Sequence, residues 1–179
     1  MADAATPDRA RPCTALAQLV ADQAGVVAGL TGAQYTASPD GFPGGLGSQI
    51  RHCLDHVAAV LAGVQTGRID YESRRRGTTL ETHRTEALAA LGDLQARLQG
   101  LVAIDLERPV RVIDRLTPNG EPLEFGSTVG REIAFVISHT THHNALIAAM
   151  VRTLGHTVPE RFGFAASTIT FLDRLACVR

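Results

Sequence analysis

The chain has 179 residues, of which 45% are hydrophobic and 4% aromatic, and a formal net charge of −1, which together indicate one globular domain with a mainly aliphatic core. The near-neutral charge offers nucleic acid no basic surface, and no stretch approaches the roughly 18 uninterrupted apolar residues that span a bilayer, so we expect neither partner. Three widely spaced cysteines and an N-terminus without an apolar leader predict a cytoplasmic protein with reduced thiols.

The first third of the chain is predicted to form two helices joined by a long loop. Residues 1–12 are expected to be disordered, and apolar side chains then recur at helical spacing, which predicts a helix over residues 14–30. A segment rich in Gly, Pro, Ser and Asp follows, and these residues favour turns over helices. Another apolar stripe predicts a second helix over residues 46–65. Residues 13–179 as a whole are expected to form one domain.

The polar segment after the second helix contains three consecutive arginines, Arg74, Arg75 and Arg76, shortly after Tyr71. A solvated loop is the simplest explanation of such a run. The alternative is an anion-binding edge of a site, because guanidinium groups pair well with carboxylate or phosphate. Tyr71 likewise either donates a hydrogen bond to a substrate or packs at the edge of the loop.

The second half of the chain is predicted to contain two more long helices around a short β-structure. A threonine cap and a leucine stripe predict a helix over residues 79–101. Alternating valines and a PNGE turn predict a small β-hairpin near residues 109–125 and no larger sheet. A cap at Ser127 or Thr128 starts the last long helix, over residues 127–154, and a short terminal helix is expected to cover the domain. Four apolar stripes joined by turns therefore predict an all-α fold, an antiparallel four-helix bundle with a small hairpin before the last long helix.

Histidines give the strongest functional signal, because five of the seven fall in two helical windows. His139 and His143 are four residues apart, which places their Cβ atoms about 5–6 Å apart on one helical face, close enough to bind the same metal ion. His52 and His56 repeat this spacing in the second helix. A fold that brings the two helices together would supply a third nitrogen ligand, so imidazole is the better candidate ligand than thiolate.

Three more side chains are candidates for roles beside these histidines. Glu132 precedes His139 by seven residues on the same helical face, which makes it a candidate catalytic residue or a group that orients a ligand. Asp55 and His142 can accept the hydrogen bond that a metal-bound histidine usually donates from its other nitrogen, although His142 lies about 100° around the helix from His143. Each also has a simpler explanation: His142 as an ordinary polar neighbour, and Glu132 as a solvent-facing or helix-favouring residue.

The motifs QIRHCLDH, YESRRRGTTLET and GREIAFVISHTTHHNALI occur in an order and spacing that resemble the DinB-like superfamily of metal-binding four-helix bundles. The arginine segment is similar to that of an uncharacterised branch. The resemblance covers most of the chain and implies three metal ligands at His52, His139 and His143, with His56 as the alternative in the second helix. It also implies one divalent ion, zinc or nickel, in an open-sided site, and pairing into a homodimer.

Some members of this superfamily resemble thiol-dependent transferases that act with low-molecular-weight thiols such as mycothiol or bacillithiol. The resemblance therefore implies a thiol and an electrophilic small molecule as partners, with the ion activating the thiol. Two alternatives stay open: a non-catalytic metal-binding stress-response module and a metal-dependent hydrolase. A polar, water-filled pocket opening onto the ion favours an enzyme, whereas a sealed apolar surround favours the module.

Overall fold

The computed structural model describes residues 11–42, 44–101 and 104–177. Within these ranges the protein is predominantly α-helical, with a small three-stranded sheet. The helices are α1 (Arg11–Ala28), α2 (Gly32–Thr36), α3 (Leu46–Thr66), α4 (Arg84–Gln99), α5 (Val129–Thr153) and α6 (Ala166–Ala176). The strands are β1 (Arg68–Asp70), β2 (Pro109–Asp114) and β3 (Leu123–Thr128), and a 3-10 turn at Thr79–Glu81 precedes α4.

The first helix begins earlier than its apolar stripe predicts. Arg11 and Pro12 already lie in the first turn of α1, where proline is well tolerated because its missing N–H has no partner to lose. The predicted disorder of residues 1–12 is therefore wrong for these two positions. For residues 1–10 the prediction lies outside the described residues.

The long helices α1, α3, α4 and α5 pack against one another through their apolar stripes. α1 contacts α4 and α5, and α3 contacts the same two helices. Leu16, Ile50, Leu91 and Ile147 are completely buried between them. Burying an aliphatic side chain of this size contributes about 2 kcal/mol. The stripes thus hold α3 and α5 side by side, and the histidines that flank the stripes are brought together.

The segment predicted as one helix over residues 79–101 is divided. Thr79–Glu81 form a single 3-10 turn, and α4 begins only at Arg84. The Glu81 carboxylate accepts a hydrogen bond from Arg51 Nε of α3 at 2.9 Å. Because this bond fixes the turn to α3, the continuous helix that the threonine cap predicts does not form.

The sheet has one strand more than predicted. β2 and β3 pair antiparallel, with Val112 opposite Phe125, and β1 pairs parallel to β2, with Ile69 opposite Val112. The prediction of no larger sheet is therefore wrong, because a three-residue strand is too short to show alternation in sequence. A Cβ atom added to Gly63 of α3 would lie 2.0 Å from Ile69 Cγ1. Because of this close approach β1 packs directly against α3, and Tyr71 is the residue that follows β1.

The C-terminal helix α6 does not cover the rest of the domain as expected. Within the described residues it buries no side chain, and Phe171, Leu172 and Leu175 stay exposed. Its apolar side chains therefore form part of the surface. None of the described helices is both long and apolar enough to cross a membrane.

Candidate metal centre

Four imidazoles from α3 and α5 meet where these helices pack together. His52 Nε2 lies 3.1 Å from His139 Nε2. The ring centroids of His56 and His139 are 3.9 Å apart, and those of His139 and His143 are 4.4 Å apart. The His143 ring also lies 4.7 Å from that of His52. The two HxxxH pairs thus form one cluster.

Three of these side chains form the tightest group of nitrogen atoms. One ring nitrogen each from His52, His56 and His139 lies within 4.8 Å of the others. His143 adjoins this group through its ring, whereas His142 is exposed, with its ring centroid 5.3 Å from that of His143. The structure thus brings His52 and its alternative His56 together with His139 and His143, and leaves His142 at the edge.

The spacing of the nitrogen atoms suits a small divalent ion. Tetrahedral zinc with Zn–N bonds of about 2.1 Å holds its ligand atoms about 3.4 Å apart. The separation of His52 Nε2 and His139 Nε2, 3.1 Å, is close to this value. The wider group, at up to 4.8 Å, has to contract by about 1.4 Å to reach the tetrahedral spacing.

Two of the histidines are held with one nitrogen available for an ion. His56 Nδ1 donates to the His52 carbonyl oxygen at 2.9 Å, and His143 Nδ1 donates to Gln49 Oε1 at 2.7 Å. A neutral imidazole that donates from Nδ1 carries its lone pair on Nε2. Metal-bound histidines are commonly oriented by such a hydrogen bond. His139 Nδ1, in contrast, is buried without a hydrogen-bond partner in the described part of the chain.

The environment keeps these imidazoles neutral. The pKa of His52 is lowered to about 3 and that of His139 to about 2. Burial is the main cause, and the neighbouring imidazoles add to it. Burial and the neighbouring His142 lower the pKa of His143 to about 4. The pKa of His56 is also lowered, again mainly by burial. A histidine must be neutral to bind a metal ion, so the cluster is in its binding form at pH 7.

Glu132 lies beside the cluster and is connected to it through Tyr71. Tyr71 Oη donates to Glu132 Oε2 at 2.8 Å, and Ser127 Oγ donates to Glu132 Oε1 at 2.6 Å. The Tyr71 ring stacks on His56 with centroids 5.1 Å apart. Burial and the adjacent Glu132 carboxylate raise the pKa of Tyr71 well above its usual range. Thr128, not Ser127, caps α5 by accepting from the Arg131 N–H.

The arginine segment touches the cluster at one position. Arg74 Nη1 donates to His52 Nδ1 at 3.3 Å, and Arg74 Nη2 lies 3.3 Å from Glu72 Oε1. Arg75 and Arg76 are exposed. Asp55 does not meet the imidazoles through a hydrogen bond but pairs with Arg51 of the same helix at 2.5 Å. Sequence spacing alone gave no means of choosing Arg74 among the three arginines.

Residues 15–147 match the DinB superfamily. The chain belongs to this superfamily. The match covers about three quarters of the chain and includes all four clustered histidines. The family membership predicted from the three sequence motifs is therefore confirmed. α6 lies outside the matched residues.

The other comparisons connect this DinB-superfamily chain with one fungal protein. "FK506-binding protein 5" of Rhizopus delemar is 28% identical over 107 residues, which are 59% of this chain and 28% of the relative. The chain thus spans less than a third of the length of the relative it matches. The FK506 binding in this name refers to the Rhizopus delemar protein. No solved structure matches the chain.

Two cavities of this DinB-superfamily protein are lined by residues that contact the cluster, and none of the four histidines is among the lining residues of either. A polar cavity of about 270 Å³ lies between α3 and the segment after β1, and Arg74 is the lining residue that touches the cluster. Its lining is Asp55, Ala58, Ala59, Ala62, Arg68, Asp70, Ser73 and Arg74. A smaller cavity of about 180 Å³ has Tyr71 and Phe135 in its wall. The Phe135 ring lies 5.8 Å from that of His139, so both aromatic residues of this wall contact an imidazole of the cluster.

The metal-free protein is expected to lose stability as the pH falls below about 6.5, the pKa of a histidine in an unfolded chain. In the folded protein His52, His139 and His143 do not take up these protons until about pH 4 or below. Between these values the unfolded state binds more protons, so the free energy of unfolding decreases as the pH decreases. Denaturant unfolding in the presence of a chelator between about pH 7 and pH 5, above the range where carboxylates titrate, measures this effect. In the double variant His52→Ala, His139→Ala the free energy of unfolding should depend less steeply on pH than in the wild type. An equal dependence in the two proteins would contradict the low pKa values of these histidines.

Proposed function

We propose that this protein binds one divalent ion, zinc or nickel, between α3 and α5 through His52, His139 and a third imidazole. The observation that carries the proposal is the 3.1 Å separation of His52 Nε2 and His139 Nε2, from positions 87 residues apart in the chain. The low pKa values of both side chains support it, because they remove the competing proton at pH 7. Which of the two ions is bound depends on availability, since imidazole accepts both.

The proposal includes an antiparallel four-helix bundle as the scaffold of the site. Its support is the packing of α1 and α3 against both α4 and α5. In such bundles, metal sites commonly lie between facing helices. The ligands here come from α3 and α5.

Two imidazoles compete for the third place. Membership of the superfamily favours His143, whereas the tightest group of nitrogen atoms contains His56. Both carry the proton on Nδ1 and present Nε2. We propose His143 as the ligand and His56 as the neighbouring imidazole, because Tyr71 and His139 stack on the His56 ring and restrict its rotation towards the ion.

As an enzyme, the protein is proposed to act as a metal-dependent thiol transferase of the mycothiol or bacillithiol type. An ion with an open position stabilises a thiolate and presents it to an electrophile. The polar cavity beside Arg74 supports an enzyme over a sealed metal-binding module, because a small-molecule substrate needs such a pocket.

Metal-dependent hydrolysis receives less support from the same contacts. It requires a general base close to the ion. Both carboxylate oxygens of Glu132 accept hydrogen bonds from Tyr71 and Ser127, and Asp55 is held by Arg51. Both carboxylates are therefore already engaged by other side chains. The proposal assigns Glu132 to orienting Tyr71 against His56.

An assay of thiol conjugation tests the enzyme proposal. Mycothiol, bacillithiol and cysteine are each offered with a chromogenic electrophile, with and without zinc or nickel. We expect metal-dependent turnover that falls to the uncatalysed rate in His139→Ala and persists in His83→Ala, since His83 is exposed at the start of α4. Turnover that is independent of metal would contradict the proposal. Bound metal without turnover for any thiol would favour the non-catalytic module.

Pairing into a homodimer and a cytoplasmic location both stay predictions. The exposed apolar side chains of Phe171, Leu172 and Leu175 on α6 are surface that a second copy could cover. The thiol and the electrophile are the small-molecule partners of the proposal.

A further inference from the structure

The hydrogen bonds around His52 determine where its proton lies when no ion is bound. An arginine guanidinium has donors and no acceptor, so His52 Nδ1 must accept from Arg74 Nη1, 3.3 Å away. The proton of neutral His52 is then on Nε2, which donates to His139 Nε2 at 3.1 Å. Arg74, His52 and His139 thus form one directed chain of hydrogen bonds.

Binding of an ion at His52 is incompatible with this chain. A metal-binding His52 uses the lone pair of Nε2, and neutral imidazole then carries its proton on Nδ1. Two donors, His52 Nδ1–H and Arg74 Nη1–H, would face each other across 3.3 Å. The Arg74 guanidinium therefore has to leave His52 whenever the ion is bound through Nε2.

The polar cavity of about 270 Å³ is the space next to the displaced guanidinium. The other partner of Arg74, Glu72, is already shared with Arg115 Nε at 3.0 Å. Of the acids in the cavity wall, Asp55 pairs with Arg51, which also pairs with Glu81. Asp70 pairs with Arg68 at 3.6 Å and accepts backbone N–H groups of its own turn. A guanidinium freed here can form a two-point contact with a carboxylate that enters the cavity.

We propose that the cavity beside Arg74 binds the carboxylate group of a small molecule, and that carboxylate binding and ion binding at His52 strengthen each other. This inference rests on the proposed metal site and names the substrate class as carboxylate-bearing. A carboxylate that holds Arg74 away from His52 removes the opposing donor, and a bound ion releases Arg74 for the carboxylate. Such coupling is reciprocal in the two affinities.

Zinc affinity measured by competition with a chromophoric chelator tests the inference on the full chain. Acetate is the carboxylate probe, and acetamide at equal ionic strength is its neutral counterpart. We expect acetate to raise the zinc affinity of the wild type about tenfold over acetamide. In Arg74→Met, affinity in acetamide should exceed that of the wild type several-fold, and acetate should add nothing. Arg152→Met removes an exposed arginine at the far end of α5 and should behave like the wild type.

Several outcomes distinguish this inference from the proposed function beneath it. An equal effect of acetate in the wild type and in Arg74→Met would overturn the inference, because the carboxylate would then act at the ion itself. If acetate does not change the zinc affinity of the wild type, the inference is also overturned, but the proposed metal site is not. If wild type and His139→Ala bind zinc equally, the metal site fails and the coupling fails with it. Arg74→Lys, which retains a positive charge, should keep part of the acetate effect and serves if the methionine variant is unstable.

Discussion

Replacing His139 with alanine is expected to weaken zinc binding about a hundredfold. Zinc sites with four protein ligands bind with about 10–16 kcal/mol, so one ligand contributes about 3 kcal/mol. His139 Nε2 lies 3.1 Å from His52 Nε2, and the His139 ring contacts His56 and His143 as well. Chelator competition or calorimetry with zinc measures the change.

Two comparisons make the His139 result specific. His83→Ala removes an exposed histidine outside the cluster and should leave zinc affinity unchanged. His143→Ala should cost as much as His139→Ala, whereas His56→Ala should cost no more than about tenfold, the effect of losing an orienting neighbour. The opposite order of the two variants would assign the third ligand to His56. Unchanged affinity in His139→Ala would reject the site.

Replacing Gly47 with alanine is expected to destabilise the fold by about 3 kcal/mol, at the upper end of overpacking effects. An added Cβ would lie 2.1 Å from the Glu81 carbonyl oxygen and 3.0 Å from Tyr35 Cε1. A backbone oxygen cannot move aside without shifting the 3-10 turn that Arg51 fixes to α3. Urea unfolding of the metal-free protein at neutral pH measures the loss.

Gly92→Ala provides the matched control for this helix glycine. Gly92 lies within α4, and an added Cβ there would meet no atom within 4 Å. Alanine should therefore stabilise the protein by about 0.5–1 kcal/mol through its higher helix propensity. Equal stability of Gly47→Ala and the wild type would show that α3 and the turn do not pack as closely as described.

The apolar stripes and the two HxxxH pairs allowed the main features to be predicted. A helix of 3.6 residues per turn puts side chains four apart on one face, so His52 with His56 and His139 with His143 could be assigned to shared faces from sequence. Which helices face one another does not follow from the stripes alone, and the structure shows that α3 and α5 pack together. The predominantly helical fold and the family follow from the same patterns.

Contacts made by short or irregular segments could not be predicted in this way. Arg74 reaches His52 from a segment without helix or strand periodicity, so the sequence gives no direction for its side chain. Gln49, which orients His143, precedes His52 by one helical turn, and that spacing was the available signal. Buried Gln23 of α1 donates to Asn144 Oδ1 at 2.7 Å, a contact between polar residues that an apolar pattern does not reveal.

X-ray absorption at the zinc edge of the zinc-loaded protein tests the central claim most directly, because it identifies the atoms bound to the ion. The account predicts a first shell of nitrogen or oxygen at about 2.0–2.1 Å, with the outer-shell scattering of three imidazoles. Loss of one imidazole contribution in His139→Ala should accompany this result. A shell of sulfur at about 2.3 Å, or a spectrum without imidazole scattering, would contradict it.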